Sequence, residues 1–313
     1  MRTGIWLLIK IAVLTVILFI LFGLASALLG LGDTGEGAGP EAALSLLAVC
    51  FLFSLVLSYP IIRSRWHGWR LILTIFVVFY GAMTLLSQIE TVVFLNHLVA
   101  VVSAETLPKL FLQGLIIAAL FTPLTVLIHG KIKQSPCNYI INSFDGPAAL
   151  FITRGGESLL PDEQNLRLIM PVRQWLWKLA VIVAAYLFIY IFFGQFVFIP
   201  LAGEAFHQYY AGLQMPSWIL PFQALRALIW VALALPVIRM MKGAWWEAGL
   251  AVSLLFAVLM GALLLIPQPF MPEQIRLAHF VELITSNFLF GWIIVFLLHR
   301  CHGKGSIVTG YIR

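Results

Sequence analysis

Eight apolar runs divide this chain from end to end, at residues 5–30, 42–62, 70–90, 108–129, 174–200, 217–238, 246–266 and 277–299. A helix rises about 1.5 Å per residue, so each run can cross the roughly 30 Å hydrocarbon layer of a bilayer. Inside lipid a backbone must satisfy its own hydrogen bonds, which leaves helices or a closed barrel. Barrel strands would read as short segments of alternating polarity, and these runs do not alternate. The expected fold class is all-α, a polytopic helical membrane protein with eight transmembrane helices. Composition agrees: 62% of the 313 residues are hydrophobic and 10% charged, whereas soluble domains are about a quarter charged.

The connections alternate in charge. "RSRWHGWR" (63–70), the long segment after the fourth run, "RMMK" (239–242) and the tail from Arg300 hold most of the Lys and Arg. "GDTGEGAGPEA" (32–42), "LAGEAFHQYYAGLQMP" (201–216) and "PQPFMPEQIR" (267–276) hold almost none; Lys109 and Arg276 are the exceptions. The positive-inside rule then predicts a multi-pass cell-membrane protein with both termini cytoplasmic, in the inner membrane if the source is bacterial. The net charge of +6 is explained by these loops and does not indicate a nucleic-acid partner. The stretch 91–103 is apolar but short, and reads as interfacial or re-entrant. Cys50, Cys137 and Cys301 are far apart and form no CxxC, so neither a disulfide nor a cysteine metal site is expected.

The chain reads as if written twice. "KIAVLTVILFILFG" (10–23) matches "KLAVIVAAYLFIYIFFG" (178–194), "PIIRSRWHGW" (60–69) matches "PVIRMMKGAWW" (236–246), and "YGAMTLL" (80–86) matches "MGALLLI" (260–266). "ETLPKLFLQGLII" (105–117) matches "ELITSNFLFGWII" (282–294), and both halves close on HGK. Two repeats of four helices each share one orientation, so a parallel repeat is expected. The domains are then a first four-helix repeat at 1–131, a cytoplasmic linker at 132–172 and a second repeat at 173–313. "ASA" (25–27) after an apolar run resembles a signal-peptide cleavage site. The match between the first and fifth runs argues that the first is retained. In the linker, "NYIINSF" and "AALFITR" are β-like around the turn signal Asp145-Gly146-Pro147.

Ionisable groups at membrane depth are costly and therefore candidates for function. Arg226 is the deepest charge and needs a carboxylate, carbonyls or a water-filled cavity. Glu90, Glu105 and Glu282, with Asn96, His97 and His279, gather toward the non-cytoplasmic side. Glu105 and Glu282 hold the same place in their repeats, nine residues before a glycine. His279 and Glu282 are three apart and share a helix face; with His97 they form a weak alternative metal set, and otherwise a proton relay or a structural hydrogen bond. The candidate substrate or proton site is Glu282, Glu105, Arg226, Glu90, His279 and Asn287. Glu247 is expected to answer Lys242, and the small pairs Gly81-Ala82 and Gly261-Ala262 to allow close helix packing.

No HExxH, GxSxG, P-loop, arginine ladder or TVGYG-like filter is present, and no cofactor is implied. The leading expectation is a transporter or permease for a small solute or ion, with an outward-facing site between the repeats. The alternatives are a membrane-embedded enzyme acting on a lipid or lipid-linked substrate, and a non-catalytic subunit of a larger complex. The expected partners are the lipid bilayer, a small solute or ion, and a membrane or cytoplasmic protein.

Overall fold

The computed structural model describes residues 2–31, 39–93, 105–133, 153–154, 157–158, 168–212, 215–268 and 271–299. Among these, eight helices are long and apolar enough to span a membrane: Gly4–Leu28, Pro40–Ile62, Gly68–Val93, Thr106–Ile128, Val172–Ala202, Ile219–Met240, Trp245–Leu265 and Glu273–His299. We call them the first to eighth spans. They match the eight runs to within about one helical turn, because hydropathy dictates their length. A short helix, Glu204–Tyr209, stands between the fifth and sixth.

Helix packing links the spans in a regular way. The first packs on the second and fourth, and the fifth on the sixth and eighth. The third packs on the fourth, and the seventh on the eighth. Between the halves, the second meets the seventh and the third meets the sixth. The first and fifth are the least buried, with 22% of each inside the bundle, and the seventh the most, at 67%. Aromatic contacts tie the interior together. Phe79 lies between Phe53 and Phe121, with ring centroids 5.7 and 5.8 Å away, and Trp230 packs on Phe256 at 4.2 Å. Exposed apolar side chains such as Leu24, Leu44 and Phe188 cover the outer surface, as a lipid-facing surface requires.

The seventh and eighth spans approach closely because glycine removes side chains at their contact. A Cβ on Gly291 would stand 2.7 Å from the Ser253 Cα, and one on Gly261 would stand 3.0 Å from Ile284. Gly81 is pressed in the same way against Leu233 of the sixth span, so both small pairs lie at close contacts.

At one face of the bundle the loops after the second and sixth spans join in an antiparallel bridge, Ser64 opposite Met241. The Arg65 N–H donates to the Met240 carbonyl at 2.8 Å, and the Lys242 N–H to the Arg63 carbonyl at 2.9 Å. Each loop then turns into the next span through a glycine with positive φ, Gly68 at 60° and Gly243 at 85°, a conformation that costs glycine little. Arg63, Arg65, Arg70, Arg239 and Lys242 surround this bridge, which marks the basic face. Glu247 pairs here with Arg63, where Lys242 was expected. The bridge brings the end of the second span beside the start of the seventh, a long-range neighbour that local charge spacing does not reveal.

Of the linker, the structure describes an antiparallel pairing of Thr153–Arg154 with Glu157–Ser158. Residues 132–133 and 168–172 at its two ends are also described; the rest, including those around Gly146, lie outside the described set, as does nearly all of 91–103.

Candidate functional site

Arg226 sits seven residues into the sixth span, on the half away from the basic face. It is 3% exposed. A guanidinium there needs a counter-charge and acceptors, because desolvating an unpaired charge costs several kcal/mol. The third span supplies both. Arg226 Nη1 reaches Glu90 Oε1 at 2.9 Å, and Nη2 donates to the Leu86 carbonyl at 3.3 Å. Nη1 also donates to Gln223 Oε1 at 3.0 Å, and the Tyr186 hydroxyl donates to the same oxygen at 3.3 Å. The Phe222 ring lies 5.9 Å from the guanidinium carbon.

A second polar group forms at the same end of the bundle. His279 Nδ1 lies 2.8 Å from Glu282 Oε2, and His279 Nε2 lies 2.9 Å from the Tyr210 hydroxyl. Burial pushes the Tyr210 phenol well above its usual range, aided by Tyr209, Glu282, Glu90 and Tyr190. Tyr210 therefore stays protonated, and its hydroxyl, the His279 imidazole and the Glu282 carboxylate form one hydrogen-bonded chain. The His279 ring is clamped by Phe198, stacked at 3.9 Å and 17°.

The two groups belong to one polar zone. Tyr186 lies within electrostatic reach of Arg226, Glu90 and Glu282, and Tyr210 within reach of both carboxylates. Tyr186 also packs on Phe290 of the eighth span, with centroids 4.8 Å apart. The zone thus draws on the third span from the first half and on the fifth, sixth and eighth from the second.

Two π-helical turns shape it. Gly81–Leu85 in the third span ends just before Leu86, whose carbonyl binds Arg226. Gly194–Phe198 in the fifth ends on Phe198, which stacks on His279. A π-turn shifts the register of the side chains beyond it and is frequent at functional sites.

Several buried donors line this zone. Arg226 Nε is buried and finds no hydrogen-bond acceptor among the described residues, and Gln223 Nε2 and Trp230 Nε1 are buried beside it. Their spacing of three and four residues places them on one stripe of the sixth span. The Trp230 indole N–H faces the Tyr186 hydroxyl, and the Gln223 amide faces the Tyr190 hydroxyl.

The six candidates separate. Arg226 and Glu90 meet directly, and His279 and Glu282 meet directly. Asn287 is buried further along the eighth span. Glu105 is exposed at the start of the fourth span, with no side-chain cap bond. His97 lies outside the described residues. Among the described residues, no three His, Cys, Asp or Glu side chains come together to hold a metal. Gln223, Tyr186, Tyr210 and Phe198 join the site without having been singled out in sequence. Gln223 carried the one available signal, as a polar residue one turn from Arg226. No family model, curated protein or solved structure matches this chain.

Proposed function

We propose that this protein is a permease for a small solute or ion bearing hydrogen-bond acceptors, with its site centred on Arg226 between two four-helix repeats. The observation that carries this reading is the buried Arg226 guanidinium, whose Nε finds no acceptor among the described residues, on one stripe of the sixth span with Gln223 and Trp230. Buried donors normally find partners, so an open N–H on a buried guanidinium suits a ligand that arrives and leaves. Corresponding contacts in the two halves support the repeat, and parallel repeats with a site at their interface recur in transporters.

In this reading the described state is closed, and Glu90 occupies the guanidinium in place of the solute. An anionic or acceptor group displaces Glu90, which turns to water or takes up a proton. The Tyr210–His279–Glu282 chain offers a route for that proton to the face away from the arginines. Asn287 adds a polar group to the path, and Glu105 stands at the rim. On the positive-inside rule the basic face is cytoplasmic, so both termini are inside and the site lies nearer the outside.

The test is flux into vesicles containing the purified protein, using a panel of small carboxylates, sugars and salts and an entrapped pH dye. At least one solute should enter faster than in empty vesicles. That flux should fall strongly in Arg226→Gln and Glu282→Gln proteins that reconstitute as well as wild type. A wild type no leakier than empty vesicles across the panel, or variants with full flux, would overturn the reading.

A further inference from the structure

The bridge at the basic face creates two topologically equivalent corners. In one, Arg63 at the end of the second span meets the first turn of the seventh, where Glu247 neutralises it. In the other, Arg239 at the end of the sixth span meets the first turn of the third, where the residue is Arg70. Like charge thus replaces opposite charge. Arg65, Trp66, Arg70, Ile169 and Arg239 line an open cleft of about 360 Å³, and none of them is acidic.

The cleft is built rather than merely charged. The Arg70 guanidinium carbon lies over the Trp66 ring, 3.9 Å from its centroid. The chain at Trp66 is held by its backbone N–H donating to Ser64 Oγ at 2.9 Å. Arg65 is anchored by Nη2 donating to the Met241 carbonyl at 3.0 Å. Stacking orients a guanidinium while leaving its edge N–H groups available, the geometry that recognises phosphate in a two-pronged manner. Positive charge is dense here: burial first, and then Lys242, holds the neighbouring Lys131 ammonium below its usual range.

We propose that Arg70 and Arg239, with Arg65 and Trp66, form a phosphate-binding site at the basic face. The ligand is a phosphate monoester or diester, carried either by a lipid headgroup of the adjoining leaflet or by a soluble compound. Ile169 gives the cleft an apolar side next to its charged one. The site is independent of the Arg226 zone and stands whether or not the chain transports a solute.

Titration calorimetry on the full-length protein in a non-ionic detergent tests this with two probes, inorganic phosphate and short-chain phosphatidylglycerol. At least one should bind saturably. Binding of inorganic phosphate points to a soluble ligand, and binding of the lipid alone points to a headgroup. Affinity should fall about tenfold or more, equivalent to about 1.4 kcal/mol, in the Arg70→Gln/Arg239→Gln variant. Arg63→Gln, on the neutralised corner, should bind as wild type does. The proposal is overturned if neither probe binds, if the double variant binds as tightly as wild type, or if Arg63→Gln weakens binding equally.

Discussion

Arg226 and Arg239 lie on the same helix, about 20 Å apart along its axis at 1.5 Å per residue, and the fold treats them in opposite ways. Arg226 is buried and held by Glu90, Gln223 and the Leu86 carbonyl. Arg239 is exposed and shares its cleft with two further arginines. Depth accounts for the difference. Inside the bundle a charge without a partner is expensive, so other helices must bring one. At the face, water and lipid headgroups screen the charge, so a corner can keep like charges together.

Removing partners tests that contrast most directly. Glu90→Gln leaves the buried Arg226 guanidinium without its counter-charge and should cost about 3–5 kcal/mol. Thermal midpoints in detergent would read this as a large drop, with recovery in a Glu90→Gln/Arg226→Met double variant. Equal stability of wild type and Glu90→Gln would mean that water already solvates the arginine. Arg226→Ala should cost less, because Glu90 is 28% exposed against 4% for its partner and can hydrate.

A smaller effect is expected from Gly291→Ala, which pushes a methyl against the Ser253 backbone. Overpacking of this kind costs about 1–3 kcal/mol, and it would also move the helix that carries His279 and Glu282. The useful measurement pairs stability with flux, and unchanged values for both would show that the two helices can separate freely.

The basic end has its own half-buried titratable group. His129, one residue beyond the fourth span, bonds Ser58 Oγ at 2.9 Å. Burial first, and then the Lys10 ammonium, lowers it from 6.5 to about 4. An unfolded chain therefore takes up this proton before the folded one does. The stability gained from a neutral His129 is complete above about pH 6.5 and is lost as pH falls toward 4. Midpoints measured from pH 7 to 4 should decline less steeply in His129→Gln than in wild type; parallel curves would refute this assignment.

The smallest effect belongs to Glu247→Gln. Its partner Arg63 is 43% exposed, and pairs of that kind contribute about 1 kcal/mol or less. A loss as large as that of Glu90→Gln would erase the distinction between the two ends of the bundle.

Two glutamates show how far the repeated sequence can be trusted for the site. Glu105 and Glu282 precede their glycines by the same nine residues. Glu282 is buried against His279, whereas Glu105 is exposed at a helix start. The eighth span begins at Glu273, so Glu282 lies more than two turns inside it, while the fourth begins right after Glu105. Equal distance from a glycine does not mean equal depth when the helices begin at different points. His279, which has no counterpart in the first half, is the residue that Glu282 bonds.

Hydropathy alone determined the eight spans, because apolar length is a property of each segment and needs no partner. Loop charge and the deep position of Arg226 were likewise legible as local facts. Tertiary structure decided which carboxylate answers which arginine: Glu90 for Arg226 and Glu247 for Arg63, both from distant helices. It also decided that Arg70 stands where a second carboxylate would have closed the opposite corner. Ion pairing at short range depends on which helix faces touch, and those faces are chosen by packing of glycines and aromatic rings throughout the bundle, not by the residues that carry the charge.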